Sequence, residues 1–212
     1  MSPARRIRAA ADALDVRLAP TAPERLERYV ELVLHWNARI RLVGPSDAET
    51  LIDDHVADAL GFARTVGRAA ASAWYDIGAG AGLPSVVLAC LFPEIRFTLV
   101  EPIAKKTAFL HQAATTLQLS NLAIRTARLE DLPPGGPTAA LSRATFAPET
   151  WWDRASTLVG PGGLVLVALG QLDAPALRAS ALQVDDFTLP LTGARRINLL
   201  LQVPLPPTAS PG

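Results

Sequence analysis

Cysteine and lysine are scarce in this chain of 212 residues, and the scarcity of cysteine excludes two kinds of site. The single cysteine, Cys90, excludes an internal disulfide and a cysteine-rich metal site, and we expect it to pack in the core. Lys105 and Lys106 are the only lysines, so 18 of the 20 basic residues are arginines (20 − 2 = 18). The 20 basic residues are balanced by 20 acidic residues. This balance argues against a strongly basic nucleic-acid binder, since phosphate contacts need clustered positive charge.

Long apolar runs are also absent from the sequence. No stretch of about twenty residues is apolar enough to span a membrane, and no apolar signal-peptide segment follows the N-terminal arginines. We therefore expect a cytoplasmic protein with no membrane partner. Hydrophobic residues make up 50% of the chain, which is enough for a sizeable core in one domain or in one domain with an appendage.

Positive charge is concentrated at the start of the chain. Residues 1–45 contain eight arginines against five acidic residues, a local surplus of three (8 − 5 = 3). Arginine suits planar, bidentate partners such as phosphate. A GC-rich genome that favours arginine over lysine explains the same composition without any partner, so the surplus alone does not predict RNA binding.

Residues 1–70 are predicted to form a helical extension that packs on the domain that follows. In residues 21–24 (Thr-Ala-Pro-Glu), Thr21 is a candidate N-cap, followed by a proline in the first turn and a capping-box glutamate. Apolar residues then recur at helical spacing over residues 26–40. A second capping box, residues 46–49 (Ser-Asp-Ala-Glu), predicts the start of another helix.

After this extension the pattern changes to alternating strands and helices. Predicted strands at 74–78, 96–101, 122–126, 138–142 and 163–168 alternate with predicted helices at 83–92, 103–117 and 148–158. This alternation is typical of βαβ units and a parallel sheet. Segments 183–191 and 195–203 predict an antiparallel hairpin at the sheet edge. The proline-rich residues 204–212 cannot form a packed core and are predicted to be a disordered tail, which leaves 71–203 as the α/β domain.

The most informative segment is the glycine-rich turn after the first predicted strand. Residues 76–84 read Asp-Ile-Gly-Ala-Gly-Ala-Gly-Leu-Pro, with Asp76 at the strand end. Glycine lets the backbone bend sharply while a ligand lies against it. A dinucleotide-binding turn would need glycine at position 83, where the chain has Leu83, and the third glycine is Gly82. The pattern Asp-x-Gly-x-Gly-x-Gly resembles motif I of the Rossmann-like S-adenosylmethionine (SAM) methyltransferases.

Two further segments suit a nucleoside cofactor at the carboxyl ends of the strands. Glu101 ends the second predicted strand, 23 residues after Gly78, where an acid can accept hydrogen bonds from both ribose hydroxyls. An acid favoured by a helix N-terminus explains the same position. Leu129 and Glu130 follow the third strand, in a loop that lies along the adenine in SAM methyltransferases, and a backbone amide of either residue could hydrogen-bond the ring edge. An ordinary polar loop is the alternative.

The segment after the fourth predicted strand, residues 142–144 (Ser-Arg-Ala), contains no obvious base or nucleophile. It lacks the Asn/Asp-Pro-Pro-aromatic motif of exocyclic-amino methyltransferases and the cysteine of cytosine-C5 enzymes. Such a site suits guanine N7, which has a free lone pair and no proton to lose, and which needs mainly alignment and nearby positive charge. Arg143 and Arg128 are candidates for that charge, because arginine hydrogen-bonds the guanine O6. Catechol, carboxylate and protein acceptors stay open.

Four segments together resemble one family closely, the bacterial 16S ribosomal RNA (guanine-N7) methyltransferases G, also called glucose-inhibited division protein B. They are residues 29–37 (Tyr-Val-Glu-Leu-Val-Leu-His-Trp-Asn), 55–58 (His-Val-Ala-Asp), 76–84 and 142–144. A Trp-Asn and His-x-x-Asp helical region paired with the glycine turn is far more specific than the turn alone. The resemblance extends over residues 20–203.

The resemblance implies a class I Rossmann-like fold, with a mostly parallel seven-stranded sheet, a C-terminal antiparallel hairpin and preceding N-terminal helices. It implies methyl transfer from SAM to N7 of one guanosine, with 16S ribosomal RNA or the small ribosomal subunit as partner, by a monomer without a metal. The implied cofactor-binding residues are Asp76, Gly78, Gly80, Gly82, Leu83, Glu101, Leu129, Glu130 and Arg143. The implied catalytic residues are Arg143, Arg128 and Arg195, and those that bind the acceptor are His55, Asp58, Arg143 and Arg195.

The sequence departs from this family mainly on the acceptor side. Arg-Leu-Val at 41–43 stands where the family usually has Asn-Leu-Thr, Ala59 replaces a serine, Ser85 replaces a glycine, and Leu-Gly at 169–170 replaces Lys-Gly. A positive charge is therefore missing from its usual position near the cleft. Two alternatives stay open: a divergent SAM-dependent methyltransferase that acts on a small molecule or another RNA, and a SAM-binding module without catalysis.

Overall fold

Seven strands of the described residues form one sheet, as the sequence pattern predicts. The computed structural model describes residues 1–170 and 172–206. The strands are β1 (Ala73–Ile77), β2 (Arg96–Val100), β3 (Leu122–Arg125), β4 (Ala139–Ser142), β5 (Leu164–Ala168), β6 (Gln183–Thr188) and β7 (Arg195–Gln202). Their order in the sheet is β3-β2-β1-β4-β5-β7-β6. The pairs that involve β7 are antiparallel and the others are parallel, so the predicted mostly parallel sheet is confirmed.

Helices both precede the sheet and connect its strands. Those before the sheet are α1 (Pro3–Ala13), α2 (Ala22–Asn37), α3 (Ala48–Leu51) and α4 (Ala57–Val66). Those that follow β1 are α5 (Ser85–Leu91), α6 (Ala104–Thr116), α7 (Pro148–Val159) and α8 (Pro175–Ser180). A π-helical turn at Ile52–Val56 joins α3 to α4, and a 3₁₀ turn at Leu129–Asp131 follows β3. None of the helices within the described ranges is both long and apolar enough to cross a membrane.

The predicted caps of the N-terminal helices need correction. The capping box at Thr21 was wrong, because the Thr21 backbone is helical and its side chain makes no cap hydrogen bond; α2 still has Pro23 in its first turn. The N-cap of α3 is Asp47 rather than Ser46, and the Asp47 carboxylate accepts a hydrogen bond from the Thr50 N–H at 2.8 Å. Serine and aspartate are equally favoured as N-caps, so the composition of the segment does not choose between these neighbours.

Two apolar cores hold helices against the two faces of the sheet. On one face, residues of α1, α2, α4, α5 and α6 share a core with β1 and β2 that includes Tyr29, Trp74, Cys90 and Phe109. On the other face, α7 and α8 pack on β4, β5 and β7 around Trp151. The N-terminal helices and the α/β part thus bury apolar side chains in one common core. A division of the chain at residue 70 stays a prediction.

The predicted strands and the helices between them are present, with ends that shift by at most three residues. The predicted hairpin consists of β6 and β7, in which Thr188 pairs with Arg195 and Gln183 with Leu200. Helix α8 was not predicted, because its six residues are too short for a helical apolar pattern. Residues 207–212 of the predicted disordered tail lie outside the described residues.

A close contact between α4 and β6 makes Gly61 a test of how the N-terminal helices pack on the sheet. A Cβ atom at Gly61 would lie 2.1 Å from Cζ of the Phe187 ring. We expect Gly61→Ala to lower the free energy of unfolding by about 1–3 kcal/mol, because overpacking outweighs a gain of about 1 kcal/mol in helix propensity. Urea denaturation measures this change.

Gly44→Ala is the matched control, because no atom would lie within 4 Å of a Cβ at Gly44. It should change the free energy of unfolding by less than about 0.5 kcal/mol. Equal stability of the two variants would contradict the tight contact between Gly61 and Phe187.

Candidate functional site

Two adjoining cavities open at the carboxyl ends of the parallel strands, where α/β sheets bind ligands. The first, which we call the β2 cavity, has a volume of about 500 Å³, and its lining includes Gly78, Glu101, Arg128, Leu129 and Glu130. The second, the β5 cavity, has a volume of about 580 Å³, and its lining includes His55, Asp58, Arg143, Leu169 and Arg196. Ala144 and Phe146 line both cavities, so the two share a wall.

The shared wall is the loop that follows β4. Ala144 has a φ of +56°, a left-handed conformation that residues other than glycine rarely adopt. The next residue, Thr145, packs over the glycine turn, and a Cβ atom at Gly78 would lie 2.6 Å from the Thr145 Oγ1. Gly78 itself has a φ of +73°, so both its conformation and the lack of space require glycine. The wall therefore brings the end of β4 against the end of β1.

Glu101 ties the glycine turn to the end of β2. Its side chain is buried, and the carboxylate accepts hydrogen bonds from the backbone N–H of Gly80 at 2.9 Å and of Ile103 at 3.0 Å. Glu101, which was predicted to bind the ribose, therefore also fixes the backbone of the turn. Each carboxylate oxygen has a further lone pair and Glu101 lines the β2 cavity, so its contact with a ribose stays a prediction.

The structure does not bring Gly82 and Leu83 to the β2 cavity, although both were predicted to bind the cofactor. A Cβ atom at Gly82 would lie 2.5 Å from the Val86 Cγ2 and 2.9 Å from the Leu110 Cδ2. Leu83 is buried in the core that α5 and α6 share with the sheet. The third glycine of the motif thus permits close packing of the turn, and Leu83 contributes apolar contacts.

Asp76 is a buried carboxyl group immediately before the turn. Its side chain is 1% exposed, and Oδ2 has no hydrogen-bond partner within residues 1–170 and 172–206. Burial raises the pKa of Asp76 to about 7. Because an unpartnered buried oxygen is energetically costly, a donor such as an ammonium group or a bridging water would bind there favourably. Asp76 does not itself line the β2 cavity, so its contact with a cofactor stays a prediction.

The 3₁₀ turn after β3 forms the opposite side of the β2 cavity. Leu129 and Glu130 line the cavity, where an adenine-side loop was predicted. The Asp131 carboxylate accepts a hydrogen bond from the Arg128 N–H at 3.0 Å, which closes the turn. Glu130 also forms an ion pair with Arg154 at 2.6 Å. Arg128, predicted to face the acceptor, lines the β2 cavity and not the β5 cavity, because the turn places it on that side.

The π-helical turn and α4 bring His55 and Asp58 to the β5 cavity. That this cavity receives the methyl acceptor stays a prediction. The Arg143 guanidinium, just after β4, donates from Nη1 to the Asp58 Oδ2 at 2.9 Å and lies 3.4 Å from the His55 Nδ1. Since a guanidinium only donates, Nδ1 accepts, and the ring proton lies on Nε2. Burial and the charge of Arg143 lower the pKa of His55, so the imidazole is neutral at pH 7.

Arg195, predicted to face the acceptor, does not line the β5 cavity, whereas its neighbour Arg196 does. Arg195 is 63% exposed and forms an ion pair with Asp186 on the adjacent strand. Arg196 is 24% exposed, and its Nε lies 3.3 Å from the Asp58 Oδ1. Successive side chains of a strand point to opposite faces, so only one of the two arginines can extend into the β5 cavity. The sequence predicted the hairpin but not the register that selects Arg196.

The two cavities therefore differ in chemistry. The β2 cavity offers a glycine turn, a buried carboxylate and a mixed polar and apolar wall. The β5 cavity offers guanidinium donors around Asp58 and a neutral histidine. A group with hydrogen-bond acceptors or a negative charge suits the second cavity. Within the described part of the chain, no group of three or more His, Cys, Asp or Glu side chains is arranged to hold a metal ion.

Sequence comparison matches this chain to one family. The family model described as rRNA small subunit methyltransferase G (GidB) matches residues 22–185. The chain is similar to "Ribosomal RNA small subunit methyltransferase G" from Halorhodospira halophila, with 37% identity over 158 residues, which is 74% of this chain and 74% of that protein. Its similarity to the protein of the same name from Bordetella avium is 33% over 188 residues, which is 86% of this chain and 84% of that protein.

Two solved structures that share the fold at low sequence identity are methyltransferases. A SAM-dependent methyltransferase from Aquifex aeolicus matches with a TM-score of 0.53 and 11% identity, over 73% of this chain and 93% of that chain. Precorrin-6Y C5,15-methyltransferase from Geobacter metallireducens matches with a TM-score of 0.51 and 16% identity, over 77% of this chain and 92% of that chain. At these identities they show the fold alone.

The raised pKa of Asp76 predicts how stability depends on pH. The pKa is about 7 in the folded protein and 3.8 in the reference state, so the folded state binds more protons between these values. The stability that this proton contributes is therefore lost as pH rises from about 4 to 7. We expect Asp76→Asn to gain stability relative to the wild type over this range, measured by urea denaturation at several pH values.

Asp186→Asn is a control of opposite sign. The hydrogen bond from Arg195 lowers the pKa of Asp186, so its contribution is present at neutral pH and is lost on acidification. Relative to the wild type, Asp186→Asn should lose stability as pH rises. A stability difference for Asp76→Asn that does not change with pH would contradict the elevated pKa.

Proposed function

The chain belongs to the rRNA small subunit methyltransferase G (GidB) family, and on this premise we propose that it transfers the methyl group of SAM to N7 of a guanosine in 16S ribosomal RNA. The observation that carries the proposal is the common wall of the two cavities, formed by Ala144 and Phe146. A methyl donor in the β2 cavity and an acceptor in the β5 cavity would meet beside these two residues, where the cavities adjoin.

The β2 cavity suits SAM, whose sulfonium centre supplies an electrophilic methyl group. Its volume of about 500 Å³ lies within the usual range of ligand pockets. The turn at Gly78 lets the cofactor approach the backbone, and Glu101 offers lone pairs to the ribose. Leu129 and Glu130 lie where the adenine would bind. The unpartnered Oδ2 of Asp76 suits the ammonium group, directly or through a water.

The β5 cavity suits a guanine base. N7 attacks with its lone pair and releases no proton, so the reaction needs alignment and charge rather than a general base. Arg143 carries N–H groups that can donate to the guanine O6. Asp58 holds this guanidinium in place.

We also propose how the RNA approaches the site. Arg39 and Arg41 are exposed in the segment between α2 and α3, on the same N-terminal region that supplies His55 and Asp58. A ribosomal RNA strand would contact this region and the carboxyl edge of the sheet together. The protein would act as a monomer in the cytoplasm, on 16S ribosomal RNA alone or within the small ribosomal subunit.

A second candidate function is a divergent SAM-dependent methyltransferase with a small-molecule or another RNA acceptor. Leu169 favours it, because a buried leucine lines the β5 cavity where the resembling family usually has lysine. A SAM-binding module without catalysis is the third candidate. The three differ in whether methyl transfer occurs and in which molecule receives the methyl group.

The direct test is the methylation state of 16S ribosomal RNA. We expect mass spectrometry to detect 7-methylguanosine at one site in 16S ribosomal RNA from the wild-type strain and not from a strain in which the gene is deleted. Purified protein with SAM should restore it on RNA or small subunits from the deletion strain. An unchanged RNA would favour another acceptor, and binding of SAM without any transfer would favour the non-catalytic module.

Arg143→Ala tests the assignment of the acceptor side. We expect kcat to fall about 100-fold, because a positioned donor near the developing charge is lost, while SAM affinity by calorimetry changes little. Arg96→Ala is the control, since Arg96 is an exposed arginine at the amino end of β2, the opposite end from the cavities. It should keep wild-type activity. Wild-type turnover by Arg143→Ala would remove Arg143 from the acceptor site.

A further inference from the structure

We propose that Arg196 is the second cation of the β5 cavity and binds a backbone phosphate of the RNA strand at the acceptor nucleotide, while Arg143 faces the base. The inference deepens the proposed function and rests on it, because it takes the acceptor to be RNA. The resemblance pointed to Arg195 instead.

The fold determines which arginine enters the cavity. Arg196 pairs with Phe187 across the hairpin, and the Phe187 ring packs against Gly61 of α4. The face of β7 that carries Arg196 is therefore the face toward α4, where Asp58 lies 3.3 Å from the Arg196 Nε. Asn198, two residues further along β7, lies on the same face and also lines the β5 cavity.

The hydrogen bonds around Asp58 leave donors free for a ligand. The Asp58 Oδ2 accepts from Nη1 of Arg143, and the Oδ1 faces the Nε of Arg196, so one carboxylate holds both guanidinium groups. The Nη1 of Arg196 donates to the Arg195 carbonyl oxygen at 3.0 Å. Within residues 1–170 and 172–206, the Nη2 of Arg196 and the Nε and Nη2 of Arg143 have no protein acceptor. The Asp58 carboxylate thus orients both guanidinium groups and leaves some of their N–H donors free.

The charge of this cluster fits one phosphodiester group. Arg143 and Arg196 with Asp58 carry a formal charge of +1 (2 − 1 = 1), and a phosphodiester carries one negative charge. Asp54 also lines the cavity but is more exposed than Asp58, so solvent screens its charge more strongly. A guanidinium is well suited to phosphate oxygens because its planar N–H groups match their geometry. One arginine for the base and one for the phosphate would fix the nucleotide at two points.

The experiment measures RNA binding at several salt concentrations. The whole chain is mixed with S-adenosylhomocysteine, which prevents turnover, and with 16S ribosomal RNA from the deletion strain. We expect Arg196→Ala to weaken binding about tenfold at low salt and to reduce the slope of log K against log salt by about 0.7–0.9, the value for one lost phosphate contact. Arg196→Lys keeps a cation and should largely restore the slope.

Two comparison variants separate this effect from a general loss of charge. Arg96→Ala removes an exposed arginine from the opposite end of the sheet and should leave affinity and slope unchanged. Arg195→Ala tests the competing assignment, since that side chain pairs with Asp186 outside the cavity. Each variant is compared with the wild type below its own thermal midpoint, and calorimetry with SAM verifies an intact cofactor site.

The outcomes distinguish this inference from the function on which it rests. If the wild type neither binds nor methylates 16S ribosomal RNA, both fail. If the wild type is active but Arg196→Ala keeps the wild-type affinity and salt slope, the phosphate contact alone is overturned. A reduced slope in Arg195→Ala but not in Arg196→Ala overturns it as well. A fall in kcat for Arg196→Ala with unchanged RNA binding would place Arg196 at the base rather than at a phosphate.

Discussion

The ion pair between Asp58 and Arg143 is the contact on which the arrangement of the site depends. Asp58 belongs to α4 and Arg143 follows β4, so their 2.9 Å bond joins the N-terminal helices to the centre of the sheet. Both side chains are largely buried, and Asp58 also pairs with Arg196, so removal of Asp58 would leave two guanidinium groups without their carboxylate. Removal of one partner of a buried pair costs about 3–5 kcal/mol. This requirement fixes α4 beside the end of β4 and thereby forms one side of the β5 cavity.

The glycine turn depends on a different kind of constraint. Glu101 accepts hydrogen bonds from two backbone N–H groups and so determines the path of the turn before any ligand binds. Asp76 has an oxygen without a partner in the described residues, and burial raises its pKa. The two carboxyl groups therefore differ: Glu101 organises the backbone, and Asp76 keeps one buried oxygen without a hydrogen-bond partner in the described residues. Such preorganisation reduces the conformational entropy that a cofactor must overcome on binding.

The sequence predicted what depends on local pattern and missed what depends on register and on packing in three dimensions. Alternating strands and helices and the hairpin follow from motifs and period, whereas His55 and Asp58 were assigned through the family resemblance. The position of Arg196 depends on a one-residue register, because neighbouring side chains of a strand face opposite sides. Leu83 was assigned to the cofactor since it lies within the motif, yet its side chain packs in the core. A motif fixes the path of the backbone more reliably than the direction of each side chain.

The register of β7 also bears on Leu169, which stands where the resembling family usually has lysine. Leu169 lines the β5 cavity but is 2% exposed and packs in the apolar core with α7 and α8. A lysine at this position would have to extend from that core into the cavity to present its charge. Arg196 instead reaches the cavity from β7, and Asp58 holds its guanidinium there. Several elements surround the β5 cavity, so a positive charge can reach it from β7 as well as from the end of β5. The absence of lysine at position 169 therefore leaves the cavity with two cations, Arg143 and Arg196, among its described residues.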